Sequence, residues 1–138
     1  MTRILVVDDE PSVCDFIRDY FTPKGYEVTS AATGAAGLRR LREERPHLVL
    51  LDILLPDMDG VKVLREAKAV DPAVAIIMLT GVLDEDIGRQ ALQQGACDYV
   101  TKPVDLHQLE RVVWYMLATM TIGEGLLPSE NAVRLTGS

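Results

Sequence analysis

Five residues whose side chains suit metal and phosphate chemistry, Asp8, Asp9, Asp52, Thr80 and Lys102, each stand at or just past the end of a short apolar run. Asp8 and Asp9 follow Ile4-Leu5-Val6-Val7, Asp52 follows Leu48-Val49-Leu50-Leu51, Thr80 follows Val74 to Leu79, and Lys102 lies just past Tyr99-Val100. Carboxylates brought together repel one another unless a cation neutralises them. An oxygen-only donor set suits Mg2+ or Mn2+, and no His or Cys adjoins these positions to favour zinc. A hydroxyl and an ammonium beside such a metal suit a transferring phosphoryl group: the metal and Lys102 offset charge on its oxygens, and Thr80 hydrogen-bonds one of them. Asp52 is then the nucleophile, forming an acyl phosphate. Taken singly, each residue has a plainer explanation: an acid as a turn former or helix cap, Lys102 as a surface lysine, Thr80 as a turn hydroxyl. Their common placement at strand ends is what argues for a site.

The elements that must position these residues alternate along the chain. Ile4 to Val7 has the length and continuous apolarity of a strand buried on both faces. Val13, Phe16, Ile17, Tyr20 and Phe21 then recur at helical spacing, with Pro11 suited to the first turn and Pro23 and Gly25 ending the helix. The pattern predicts strands at Tyr26–Ser30, Leu48–Leu51, Val74–Leu79 and near Tyr99-Val100. It predicts helices at about Gly34–Glu44, Gly60–Val70 and Asp84–Gln94. A last helix carries Leu106, Leu109, Val113 and Met116 on one face, opened by Asp105 and Gln108 as a variant capping box. Strand–helix alternation with short links implies right-handed crossovers and a five-stranded parallel sheet, doubly wound, in the α/β class. In such sheets the site lies outside the carboxyl ends of the strands, where the five polar residues fall.

The periodicity lapses after about Leu117. The expected organisation is therefore a domain over residues 1–118 and a C-terminal tail or linker over 119–138, with a short helix conceivable around Ser129–Leu135. A length of 138 residues is one domain's worth. The net charge of −7 argues against nucleic-acid binding by this chain. Its densest basic run, Arg39, Arg40, Arg42 and Arg45, is interrupted by Glu43 and Glu44 and reads as a solvated helix face. Cys14 and Cys97 match no metal or redox spacing and read as free thiols in a reducing cytosol. No apolar run is long enough for a membrane span, and Asp8, Asp9 and Glu10 interrupt what would be a signal peptide, so a cytoplasmic location is expected.

Four segments in order and in register carry a resemblance: Ile4 to Glu10, Asp52 to Gly60, Leu79-Thr80-Gly81, and Gly95 to Pro103. Over about residues 1 to 118 the chain resembles the receiver domains of two-component response regulators, which have the flavodoxin-like (βα)5 fold. The resemblance implies that Asp52 accepts a phosphoryl group from a histidine kinase or phosphotransfer protein, or from a small donor such as acetyl phosphate. It implies magnesium held by Asp9, Asp52 and the backbone carbonyl of Leu54, with Asp8 acting through water. Thr80 and Tyr99 would be the switch pair, Lys102 the phosphate contact, and Pro103 the former of a turn through a cis Lys102–Pro103 bond. Such a chain catalyses only its own phosphorylation and dephosphorylation, and is no enzyme on other substrates. Its readout face is expected on the fourth helix, fifth strand and fifth helix, which Thr80 and Tyr99 border. The stretch Val112 to Leu117, apolar on more than one face, suits a homodimer or partner contact and equally a core edge covered by the tail. Leu54 and Val82 are apolar where many family members are polar, beside the path of the attacking water.

Other readings fail on particular residues. Asp57-Met58-Asp59-Gly60 matches the D-x-D-G motif of haloacid-dehalogenase-like phosphatases, but Pro56 separates Asp57 from the strand that ends at Asp52. The segment reads better as a turn and cap before the third helix. As a calcium loop it would place Lys68 where the bidentate Glu belongs. No Gly-rich phosphate loop follows the first strand.

Overall fold

The continuous apolar runs become the interior of a sheet. The computed structural model describes residues 1–81 and 85–123. Within them β1 (Arg3–Val7), β3 (Leu48–Asp52) and β4 (Ala75–Thr80) form the centre, flanked by β2 (Glu27–Ala31) and β5 (Asp98–Thr101). The order is β2-β1-β3-β4-β5 and every pairing is parallel. Every residue of β3 and β4 is buried, as a strand covered on both faces must be. Edge strand β2 is mostly half-exposed, which is why its apolar signal is weak.

Parallel neighbours need long crossovers, and helices supply them. These are α1 (Pro11–Phe21), α2 (Gly34–Glu44), α3 (Gly60–Val70) and α4 (Glu85–Gln93). Leu5, Val7, Val49, Leu51, Ile76 and Met78 pack with Leu38, Leu41, Val63, Leu64 and Ala67 from α2 and α3 and with Ala91 from α4. Gly25, at φ 96°, closes the 3-10 turn that follows α1, a left-handed conformation natural to glycine. The expected bounds of the strands and of α2, α3 and α4 hold to within a residue or two; Asp84 and Val82 lie outside the described residues.

The chain divides into two compact units, Met1–Val104 and the segment from Asp105 onward. In the second, α5 (Leu106–Gly123) opens on Asp105, whose Oδ1 accepts the His107 and Gln108 N–H groups at 3.0 and 3.2 Å. The periodicity stops at Leu117, but the helix runs on to Gly123, so the boundary expected after residue 118 falls inside it. Once nucleated, a helix propagates on backbone hydrogen bonds and needs no apolar stripe. The Thr119 hydroxyl bonds back to the Tyr115 carbonyl at 2.8 Å, as a threonine inside a helix does. The segment Ser129–Leu135 lies outside the described residues.

Candidate functional site

Asp8, Asp52 and Thr80 are the buried polar side chains among the described residues, and all three sit at carboxyl ends of central strands. A buried carboxylate must be paired or hydrogen-bonded, and the surrounding turns provide for this. Asp8 continues β1: its N–H donates to the Ala31 carbonyl at 3.0 Å, and its Oδ1 accepts the Glu10 N–H at 2.9 Å. Asp52 ends β3 opposite Leu79, and its Oδ1 accepts the Leu54 N–H at 3.1 Å.

Lys102 completes the group from the end of β5. Its backbone N–H donates to the Thr80 carbonyl at 2.6 Å, and the Lys102–Pro103 bond is cis. Its Nζ lies 2.8 Å from Asp8 Oδ2, 3.0 Å from Glu10 Oε1 and 3.3 Å from Asp52 Oδ2. The ammonium thus stands among three carboxylates and lies closest to the buried Asp8 Oδ2. Burial alone would lower the Lys102 pKa; the Asp8 and Glu10 carboxylates and the charge of Asp52 outweigh it and raise it. Burial, reinforced by the charge of Asp8, raises the Asp52 pKa against the lowering effects of the Leu54 N–H and Lys102.

Oxygens of Asp8, Glu10 and Asp52 all lie within 4.8 Å of one another, a spacing that could hold a metal ion. With one ammonium among three carboxylates, the formal charge of the group is −2, which one divalent cation would offset. The oxygen-only donor set fits a hard cation. Asp9, expected as a direct ligand, is exposed and outside this group, and Glu10 stands in it instead. Glu10 occupies the N-cap position of α1 without capping it, because its carboxylate reaches Lys102. The only hint of this in the sequence is that Glu10 extends the acidic run just before Pro11. Tyr99 is half-buried on β5, and the Leu54 side chain is 69% exposed.

The turn after Asp52 is held by close backbone approach. Leu54 bridges Asp59, and the Gly60 N–H donates to the Ile53 carbonyl at 2.8 Å. A Cβ on Gly60 would meet the Asp52 carbonyl oxygen at 2.4 Å, so only glycine fits there. Asp59 caps α3 by accepting the Val61 N–H at 2.9 Å. Asp57 crosses to the start of α2 and accepts the Gly34 and Ala35 N–H groups at 2.8 and 3.0 Å. The D-x-D-G segment is thus spent on two helix N-termini.

A family model described as response regulator receiver domain matches residues 4–113. The chain belongs to that family. The receiver is 36% identical over 131 residues to the transcriptional regulatory protein ZraR of Salmonella typhimurium, covering 95% of this chain and 30% of the relative. It is 43% identical over 108 residues to the transcriptional regulatory protein KdpE of Mycobacterium tuberculosis, covering 78% of this chain and 47% of that one. Among solved structures, a CheY-like response regulator receiver domain protein from Methanospirillum hungatei superposes with a TM-score of 0.86 at 34% identity, covering 89% of this chain and 98% of the other. The sheet order and five helices are those of the flavodoxin-like receiver fold. The chain spans about a third of the ZraR relatives it matches. No described helix is long and apolar enough to cross a membrane.

Proposed function

We propose that Asp52 is the phosphate acceptor of this receiver, taking a phosphoryl group from the phosphohistidine of a histidine kinase or phosphotransfer protein. The observation that carries this reading is the convergence of Asp8, Glu10 and Lys102 on a buried carboxylate at the end of a central strand. The raised pKa of Asp52 marks a carboxylate whose charge is poorly solvated, hence more basic and a better nucleophile. One Asp52 oxygen attacks phosphorus, the bond from phosphorus to the donor breaks, and an acyl phosphate forms. Lys102 offsets charge on the arriving oxygens, and the Thr80 hydroxyl donates to one of them.

The metal reading follows the same edge. Magnesium, or manganese, would be held by Asp8, Asp9, Asp52 and the Leu54 carbonyl, while Lys102 balances Glu10. When bound, the ion supplies charge stabilisation of the phosphoryl oxygens. A cavity of about 660 Å3 lined by Glu10, Ser12, Val13, Phe16, Lys102 and Pro103 supports approach of the donor from beside α1. Phosphorylation adds about −1.5 to −2 charge, and Thr80 and Tyr99 pass the change to an output module or partner that reads α4, β5 and α5. The chain turns over no other substrate and works in the cytosol, where Cys14 and Cys97 stay free thiols.

Incubation with acetyl phosphate and Mg2+, followed by intact-mass measurement, tests the reading. One phosphate is retained by the unmodified chain and none by Asp52→Asn. Release of inorganic phosphate over many turnovers without an adduct would make the chain a phosphatase instead, and no reaction would make it a contact module.

A further inference from the structure

Helix α4 carries a glycine in its interior, Gly88, and this position is buried. Glycine within a helix weakens it relative to alanine, because it loses more conformational freedom on folding and packs no side chain. The neighbour that Gly88 faces explains its presence. A Cβ built there would lie 2.9 Å from Tyr99 Cζ, 3.0 Å from Cε1 and 3.2 Å from Cδ1. The Cδ1–Cε1–Cζ edge of the Tyr99 ring therefore lies close against α4 at Gly88, in space that any side chain at position 88 would fill.

Tyr99 pairs with Met78 on β4, two residues before Thr80, and packs at the margin of the core on the same side as Ile87 of α4. Its position thus joins three elements: the strand that ends at Thr80, its own strand that leads to Lys102, and α4. We infer that Gly88 is a positioning residue for the switch, its bare backbone forming the seat that holds the Tyr99 ring. The inference rests on the reading of Asp52 as acceptor and Tyr99 as the switch aromatic. Two aromatic positions of nearly equal free energy are easily biased, and a methyl group in the seat changes their balance. Ring position and phosphate-site affinity are then linked, since whatever shifts one equilibrium shifts the other. Gly88 acts through Tyr99 and touches no reacting atom.

The test is a double-mutant cycle of Gly88→Ala and Tyr99→Ala. Its first readout is affinity for beryllium trifluoride with Mg2+, which mimics a phosphoryl group on a carboxylate. Gly88→Ala changes that affinity by about fivefold or more when Tyr99 is present, the lower end of typical coupling between sites, and leaves it unchanged in the Tyr99→Ala background. The second readout is the urea midpoint, whose response to Gly88→Ala reverses sign. It falls with Tyr99 present, where the methyl meets the ring, and rises with Tyr99→Ala, where only helix propensity remains. In a fluorotyrosine-labelled chain the 19F resonance of Tyr99, assigned through Tyr99→Phe, moves on Gly88→Ala while those of the other tyrosines stay in place. An affinity change that persists without Tyr99, or equal midpoint shifts in both backgrounds, overturns the inference. Failure of the unsubstituted chain to bind the probe overturns the reading of Asp52 itself, and the inference with it. If Gly88→Ala alone fails to fold, folding restored by Tyr99→Ala supports the seat, and continued failure overturns it.

Discussion

Asp52 ends β3 and Asp57 stands in the turn that follows, and their surroundings push them in opposite directions. Asp52 is 4% exposed at the end of β3, and burial raises its pKa. Asp57 is exposed, and the Gly34 and Ala35 N–H groups lower its pKa. Asp52 has one backbone donor and a shared ammonium, in company with two other carboxylates. Asp57 has two donors at the positive end of a helix. An aspartate that stabilises the fold is one whose charge is satisfied when the chain folds. One that does chemistry sits where its charge is costly until a cation or a phosphoryl group arrives.

The largest break in that contrast is expected from removing the ammonium. The Lys102 side chain is 14% exposed, and its partners Asp8 and Asp52 are buried, so Lys102→Met leaves buried carboxylates uncompensated. Such a loss costs about 3 kcal/mol, read as a fall in the urea unfolding free energy in the presence of EDTA. Magnesium restores more stability to Lys102→Met than to the unsubstituted chain, because the ion then meets the whole negative charge. Equal stabilisation of both proteins by Mg2+ would show that the ion does not sit among these carboxylates.

A smaller effect decides which exposed acid serves the metal. Asp9→Asn weakens Mg2+ binding by at least about tenfold, the lower end of what loss of a group supporting a metal ligand costs. Glu10→Gln, which removes a carboxylate that Lys102 already balances, weakens it less. Calorimetric titration of the ion reads both. The reverse order would assign Glu10 as ligand and Asp9 as a bystander.

The central strands and the helices between them were legible because their physics is local. A strand buried on both faces must be apolar throughout, as Leu48 to Leu51 is, and α2 and α3 begin and end where Thr33, Asp59 and their neighbours supply caps. The strand-end acids were legible from the same runs, since parallel topology sends the ends of β1, β3, β4 and β5 to one edge. The role of Glu10 was not, because it depends on Lys102, ninety-two positions away in sequence. Nor was the crossing of Asp57 to α2, since the motif around it resembles a cap for the helix that follows. The far end of α5 was hidden for another reason: apolar periodicity reports a buried face, and a helix can outrun it. Gly88 carried no signal as a seat, because a lone glycine in a helical pattern says nothing of what approaches it.

The smallest effect sets the two aspartates directly against each other in acid. Asp57 has a folded pKa below its unfolded value, so its stabilisation is fully present above the unfolded value of about 3.9 and is lost as pH falls through the folded pKa. Asp57→Asn therefore lowers the urea midpoint at neutral pH, and the deficit closes below pH about 4. Asp52 has a folded pKa above its unfolded value, so the folded chain holds that proton more tightly. Its ionisation opposes folding above the folded pKa, and that opposition disappears below the unfolded one. Asp52→Asn accordingly raises the midpoint at neutral pH in EDTA, and the surplus also closes in acid. The two variants converge on the unsubstituted chain from opposite sides, one below it and one above. Two deficits, or two surpluses, would mean that the fold uses both aspartates in the same way. The phosphoryl adduct then supplies an independent division: Asp57→Asn retains it, because a carboxylate engaged with α2 has no part in the transfer.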